Sequence, residues 1–130
     1  MKLIYILFTA IIIALTLFEC SPTSITIQEN TQIENYSIKK GDTVEVILSA
    51  NPSTGFKWQI VNIDTSKLLI IDESYTAKQV KRDIVGSGGN KTYRFKAISK
   101  GSLTIEINYF RPFEKELPPL KKFNINLEID

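Results

Sequence analysis

The residues whose types and spacing carry most information lie in one segment, 51–58, which reads Asn-Pro-Ser-Thr-Gly-Phe-Lys-Trp. Asn51 can bond its side chain to the backbone two residues later, Pro52 fixes its own φ, and Gly55 reaches backbone conformations that cost other residues free energy. These properties predict a stiff loop. Ser53 and Thr54 lie at its middle and are both small and uncharged, so the segment offers neutral side chains for contact.

Two later segments also carry residue types that suit recognition. Residues 86–89 read Gly-Ser-Gly-Gly, so the backbone there can approach a partner closely. Residues 111–113 read Arg-Pro-Phe, which places a planar cation and a rigid apolar ring beside a proline, and arginine and aromatic residues are enriched at interface hot spots. Taken alone, the three segments have plainer interpretations as a turn, a hairpin tip and a solvated surface charge.

Composition excludes the common kinds of catalytic machinery. Histidine is absent and Cys20 is the only cysteine. The chain therefore has no Ser-His or Cys-His pair, no thiolate cluster for a metal and no disulfide within one chain. Asp72 and Glu73 are adjacent carboxylates, but neighbours on a strand face opposite ways and cannot converge on one bond. We expect no catalytic residue, metal or cofactor, and an enzyme is the weakest of the hypotheses.

Length and charge limit the fold and the partners. With 130 residues, of which 43% are hydrophobic and 23% charged, the chain has the composition of one globular domain. Its formal net charge of +2 is too small to predict nucleic acid or an anionic membrane surface as the main partner.

The N-terminal segment has the features of an export signal. Lys2 precedes an apolar run over residues 3–17, which is short for a membrane span. We therefore expect residues 1–20 to be a signal peptide and residues 21–130 to form the mature domain. The protein is then secreted or held at the cell surface.

A lipid anchor is one of two interpretations of the signal's end. Leu17 and Cys20 have the spacing of the box at which bacterial lipoproteins are cleaved and acylated on cysteine. Phe18 and Glu19 depart from that box, which normally holds small residues before the cysteine. Acylation of Cys20 and simple cleavage both stay open, and the anchor would be the protein's one link to a membrane.

Alternating apolar and polar residues predict β-strands along the rest of the chain, and no stretch carries a convincing helical stripe. The alternating positions are Ile25 and Ile27; Tyr36 and Ile38; Val44, Val46 and Leu48; Trp58 and Ile60; Tyr93, Phe95 and Ala97; Leu103, Ile105, Ile107 and Tyr109; and Phe123, Ile125, Leu127 and Ile129.

Three segments have more specific expectations. Residues 93–97 and 103–109 flank a turn at Lys100-Gly101, and we expect them to pair as a hairpin. The continuous apolar run 68–71 is expected to be a buried strand, although its period also allows a helical turn. Residues 76–91 are expected to form a long, glycine-rich loop.

The recurring strands and turns predict an all-β fold, an immunoglobulin-like antiparallel β-sandwich. Trp58 is expected in its core, as in many sandwich domains. If the strands run up and down, the segments 51–56, 86–90 and 111–117 fall at one end. Such a domain also suits an adhesion or carbohydrate-binding module, which would bind glycan or a host surface whatever residue stands at position 54.

In their order and spacing, the three segments resemble the signature loops of the chagasin-type inhibitors of papain-like cysteine peptidases. The resemblance extends from about Ile25 to the end of the chain, and Phe113 stands where the family often has tryptophan. The residues that the resemblance makes candidates for peptidase binding are Asn51, Pro52, Ser53, Thr54, Gly55, Phe56, Gly86, Ser87, Gly88, Gly89, Arg111, Pro112 and Phe113.

The resemblance implies a monomer whose three loops form a wedge that plugs the peptidase cleft, reversibly and without a covalent bond. Thr54 would lie over the catalytic cysteine, where a neutral side chain fits without the burial of a charge. The glycine segment would bond an extended strand of the cleft through its backbone. Arg111 and Phe113 would supply anchoring contacts. The implied partner is a papain-like cysteine peptidase.

Overall fold

The computed structural model describes residues 21–29, 35–79 and 88–130. The expected signal peptide at 1–20, with Cys20, lies outside these ranges, and so do Gly86 and Ser87. Within the ranges described, no helix is both long and apolar enough to cross a membrane.

Eight β-strands and one short 3₁₀ helix make up the regular structure of the described residues. In chain order the strands are β1 (Ser24–Gln28), β2 (Asn35–Ile38), β3 (Thr43–Ala50), β4 (Lys57–Asn62), β5 (Leu68–Ala77), β6 (Gly89–Ala97), β7 (Gly101–Phe110) and β8 (Lys121–Ile129). The 3₁₀ helix, Pro52–Thr54, lies between β3 and β4. The period-two alternation of the sequence produces these strands, because successive side chains point to opposite faces.

The strands form two four-stranded sheets, in the orders β1-β3-β6-β5 and β2-β8-β7-β4. All pairings are antiparallel except β1 with β3 and β2 with β8, which are parallel. The predicted all-β immunoglobulin-like sandwich is confirmed, and each of its sheets is mixed because one short strand joins an edge in parallel.

One hydrophobic core lies between the two sheets, and the alternating positions of the sequence fill it. Val44, Val46 and Leu48 of β3 are completely buried. The other strands contribute their predicted inward residues, among them Ile27, Tyr93, Phe95, Ala97, Leu103, Ile105, Ile107, Tyr109, Phe123, Ile125, Leu127 and Ile129. Burial of these faces is the main favourable free-energy term of the fold.

The expected hairpin between β6 and β7 is wrong, although both strands are present. β6 pairs with β3 and β5 in one sheet, whereas β7 pairs with β4 and β8 in the other. Residues 98–100 therefore cross from sheet to sheet. Both strands carry an apolar inner face, and a sandwich needs such a face in each sheet, so alternation alone does not distinguish a hairpin from this crossing.

The run 68–71 is a strand but is not buried, so that expectation is also wrong. Leu68 is fully buried, whereas the three residues after it are 48%, 40% and 47% exposed. β5 is an edge strand that pairs with β6 alone, and its register shifts between Ile70 and Asp72. An edge strand has a neighbour on one side, so an apolar run there stays open to solvent.

The end of the sandwich that carries the N-terminal residues is organised by Asp42, which is buried. Its carboxylate accepts hydrogen bonds from the backbone N–H groups of Lys39 and Thr23, each at 2.9 Å. The bond from Lys39 and then that from Thr23 lower the pKa of Asp42. Thr23 lies beside the first residue of β3, so this end is about 23 Å from the other end of that strand.

We predict that Trp58→Ala lowers the free energy of unfolding by about 3 to 5 kcal/mol, since a large buried aromatic leaves a cavity. Trp58 is 4% exposed and belongs to the core. Urea unfolding followed by circular dichroism measures the loss. Phe113→Ala is the control, because Phe113 is 73% exposed and its removal should leave stability nearly unchanged. Equal losses in the two variants would contradict the burial assigned to Trp58.

Candidate functional site

Three connections lie at the end of the sandwich away from Asp42. We call residues 51–56 loop 1, residues 78–88 loop 2 and residues 111–120 loop 3. The strand registers bring them together, because Gly89 pairs with both Ala50 and Ala77, and Lys57 pairs with Phe110. The predicted placement at one end is therefore present in the described residues of all three loops.

Loop 1 is held by bonds within itself. The Asn51 side-chain oxygen accepts hydrogen bonds from the Ser53 N–H at 3.3 Å and the Ser53 hydroxyl at 2.6 Å, as the sequence predicts for an asparagine in this position. Gly55 has a φ of +80° and donates its N–H to the Pro52 carbonyl at 3.1 Å. These contacts close a single 3₁₀ turn that needs glycine at its end.

Thr54 is the exposed residue at the end of this turn. Its hydroxyl donates to the Asn51 carbonyl at 2.6 Å, and its N–H reaches the same carbonyl at 3.2 Å. The side chain thus has its polar atom bonded inside the loop. What it presents to solvent is small and carries no charge.

A stack of aromatic rings supports loop 1 from below. The ring of Tyr109 lies 4.8 Å from that of Trp58 and 5.3 Å from that of Phe56, measured between centroids. The Tyr109 hydroxyl accepts the Asn51 N–H at 3.1 Å, and the Trp58 indole N–H donates to the Ser49 carbonyl at 2.8 Å. The prediction that Trp58 belongs to the core is confirmed, and Phe56 is half-buried above it.

Tyr93 extends this support into the other sheet. Its hydroxyl donates to the Trp58 carbonyl at 2.8 Å. Burial raises the pKa of Tyr93, and the charge of Glu73 raises it further. The phenol therefore stays a neutral donor and holds β4 to β6 across the core.

Arg111 of loop 3 contacts loop 1 directly. Its guanidinium lies 4.5 Å above the centre of the Phe56 ring, and its Nε donates to the Thr54 carbonyl at 3.1 Å. A second nitrogen, Nη1, donates to Glu114 Oε1 at 3.2 Å. Arg111 is thus engaged with its own chain, in addition to lying at the predicted site.

Phe113 and Pro112 complete the described surface of loop 3. Phe113 is 73% exposed, yet its ring touches Gly55, since a Cβ built on that glycine would lie 3.2 Å from the Phe113 Cζ. Pro112 is half-buried. Phe113 thus places an open aromatic face beside loop 1, and aromatic rings are enriched at the hot spots of protein interfaces.

Loop 2 is shorter than the expected 76–91, because β5 runs to Ala77 and β6 starts at Gly89. Gly88 has a φ of +69°, and its carbonyl accepts a hydrogen bond from the Lys78 N–H at 3.0 Å. Gly89 is buried as the first residue of β6, so it belongs to the sheet rather than to the loop. Gly86 and Ser87 are outside the described residues.

Sequence reasoning missed Tyr109 and Glu114 as parts of this site. The sequence predicts Tyr109 only as an inward strand residue, and its position two residues before Arg111 is the signal that could have placed it at this site. Glu114 lies directly after the Arg-Pro-Phe segment, outside the residues that the motif singles out. Across the described segments, no three acidic or thiol side chains cluster closely enough to hold a metal ion.

Comparison with known proteins decides between the inhibitor and the adhesion module. Residues 37–127 match the model of the family described as chagasin family peptidase inhibitor I42. The chain belongs to the chagasin family of peptidase inhibitors. The resemblance carried by the three loops is therefore confirmed, and the family is one of inhibitors rather than enzymes.

Known proteins resemble this chain in sequence and in fold. Amoebiasin-2 of Entamoeba histolytica is 27% identical over 113 residues, covering 85% of this chain and 91% of that protein. The crystal structure of EhICP2, a cysteine protease inhibitor from Entamoeba histolytica, has a TM-score of 0.78 at 24% identity and covers 85% of this chain and 98% of its own. PbICP-C, solved in complex with falcipain-2, has a TM-score of 0.56 at 15% identity, and the match covers 82% of this chain and 97% of PbICP-C.

We predict that Gly89→Ala destabilises the fold by roughly 1 to 3 kcal/mol, because the junction of loop 2 with β6 has no room for a methyl group. A Cβ on Gly89 would lie 2.3 Å from the Thr76 carbonyl oxygen. Gly41→Ala is the matched control, since its φ is +96° but nothing lies within 4 Å of the added Cβ. It should cost only the strain of an alanine at positive φ, about 1 to 2 kcal/mol. Urea unfolding of both variants tests this, and a Gly89 variant as stable as the parent would contradict it.

Proposed function

We propose that this chain is a tight, reversible, non-covalent inhibitor of papain-like cysteine peptidases, and that loops 1, 2 and 3 together occlude the active-site cleft. One observation carries the proposal. A hydrogen-bonded turn presents Thr54, and the open ring of Phe113 lies against the next residue, Gly55, at the end of the sandwich where the three loops meet. The cysteine peptidase class follows from the family resemblance, and EhICP2, with a similar fold, is itself a cysteine protease inhibitor.

Loop 1 supplies the tip of the wedge in this proposal. Thr54 enters the cleft over the catalytic cysteine, and its hydroxyl is already bonded to Asn51. Burial of this hydroxyl in the complex therefore has a small desolvation cost. The turn is also ordered before binding, which reduces the conformational entropy lost in the complex.

The other two loops flank the tip. Gly86, Ser87 and Gly88 bring backbone close to the substrate-binding strand of the peptidase, and a main-chain pairing there resembles the addition of a β-strand. Gly89 supports them from inside the sheet, where it is already paired with Ala50 and Ala77. Phe113, set by Pro112, covers an apolar part of the rim. The proposal needs no nucleophile and no bond to the catalytic cysteine, so the chain itself acts without enzymatic activity.

The route to the site of action is part of the proposal. Residues 1–20 act as a signal peptide, residues 21–130 are the exported domain, and Cys20 is the point of a lipid anchor if acylation occurs. Thr23 bonds to Asp42 at the end of the sandwich opposite loop 1. A domain tethered through Cys20 therefore holds its loops away from the membrane, free to meet a peptidase.

We predict that Thr54→Arg raises the inhibition constant for papain by roughly 100-fold or more, equal to about 2.7 kcal/mol, because a charged side chain would be desolvated in the cleft. Fluorogenic peptide hydrolysis with active-site-calibrated enzyme measures the constant. Thr65→Arg is the matched control, because Thr65 is exposed in the turn before β5.

A second control addresses the hydroxyl of Thr54. Thr54→Ser keeps the donor to Asn51 and should inhibit like the parent. If Thr54→Arg inhibits as well as the parent while remaining folded, the tip of loop 1 does not enter the cleft and the proposed geometry is wrong.

A further inference from the structure

We propose that Arg111 is a positioning residue that joins loop 3 to loop 1, and that Glu114 holds it, so that the two loops meet the peptidase as one preformed unit. The inference rests on the proposed function and deepens it. It gives Arg111 a role inside the inhibitor, where sequence reasoning expected a direct anchor on the enzyme. It also gives a role to Glu114, which lies outside the segments that carry the family resemblance.

The contacts of Arg111 fix its guanidinium from three directions. Nε donates to the Thr54 carbonyl at 3.1 Å, Nη1 donates to Glu114 Oε1 at 3.2 Å, and the planar face lies 4.5 Å from the centre of the Phe56 ring. A guanidinium suits this arrangement because its plane stacks on an aromatic ring while its edge donates hydrogen bonds. The contacts to loop 1 therefore reach Thr54 at its tip and Phe56 at its base.

Glu114 is placed by the backbone of loop 3 itself. Its N–H donates to the Arg111 carbonyl at 3.0 Å, which closes a turn and returns the carboxylate to the guanidinium. The two side chains are 36% and 35% exposed. An ion pair this open contributes little to the stability of the fold. Its loss should therefore change the order of the loops and leave global unfolding almost unchanged.

Binding kinetics distinguish positioning from direct contact. If Arg111 only keeps loop 1 in its binding-competent conformation, its loss reduces the fraction of molecules in that conformation. The association rate constant then falls. If Arg111 bonds the enzyme, its loss mainly raises the dissociation rate constant. Arg111→Lys is the informative change, because it keeps the positive charge, and hence electrostatic steering, while removing the Nε donor and the planar face.

The first test uses the protein without any peptidase. Amide hydrogen exchange of Thr54 and Gly55, followed by NMR, reports the order of loop 1. We expect exchange to be roughly threefold to tenfold faster in Arg111→Lys and Glu114→Ala, with the urea midpoint within error of the parent. Glu116→Ala is the matched control, since Glu116 is an exposed acid of the same loop without a hydrogen bond or ion pair to any described residue.

The second test measures association and dissociation with papain by progress curves. We expect Arg111→Lys and Glu114→Ala to lower the association rate constant roughly threefold to tenfold, with dissociation within about twofold of the parent. Faster dissociation with unchanged association, or unchanged exchange at Thr54 and Gly55, would overturn the positioning role. If the parent itself inhibits no papain-like enzyme, the proposed function fails, and the exchange measurement still decides whether Arg111 orders loop 1.

Discussion

The ring of Tyr109 between Phe56 and Trp58 is the contact on which the presentation of loop 1 depends. Trp58 and Tyr109 are core residues, whereas Phe56 is half-buried at the base of the loop. The Tyr109 hydroxyl also receives the N–H of Asn51, where the loop begins. Close-packed side chains in a core have little conformational freedom. Because the Tyr109 ring contacts both the core and loop 1, it also restricts the conformations that loop 1 can adopt. The exposed turn is thereby tied to the hydrophobic core.

An inhibitor that acts by occlusion needs no reactive group, but it does need binding loops that are ordered before they meet the enzyme. Each residue that loses freedom on binding subtracts from affinity, so a turn closed by Asn51, Gly55 and their partners has an advantage over a flexible loop. The same reasoning explains why the proposed tip is Thr54, whose polar atom is already bonded, rather than a charged residue. The fold's contribution is to hold three connections at one end, and the side chains of loop 3 then tie two of them together.

Much of this could be predicted from the sequence. The period-two positions predicted the strands and the buried faces, and local turn chemistry predicted the bond from Asn51 and the left-handed Gly55. The failures concern pairing. β6 and β7 entered different sheets, and Leu69 to Ile71 stayed exposed, because alternation describes a face and gives no information on which strand lies beside it. The engagement of Arg111 with Thr54 was also hidden, since it joins residues far apart in the chain.

The most direct measurement of the central claim is binding of the fragment 21–130 to papain in two states, by calorimetry. In one state the catalytic cysteine carries a small carbamidomethyl group, and in the other a covalent peptidyl inhibitor fills the cleft. The account predicts reversible binding to the first enzyme and none to the second, since the loops and the peptidyl inhibitor would occupy the same space. Binding of equal strength to both would contradict occlusion of the active site.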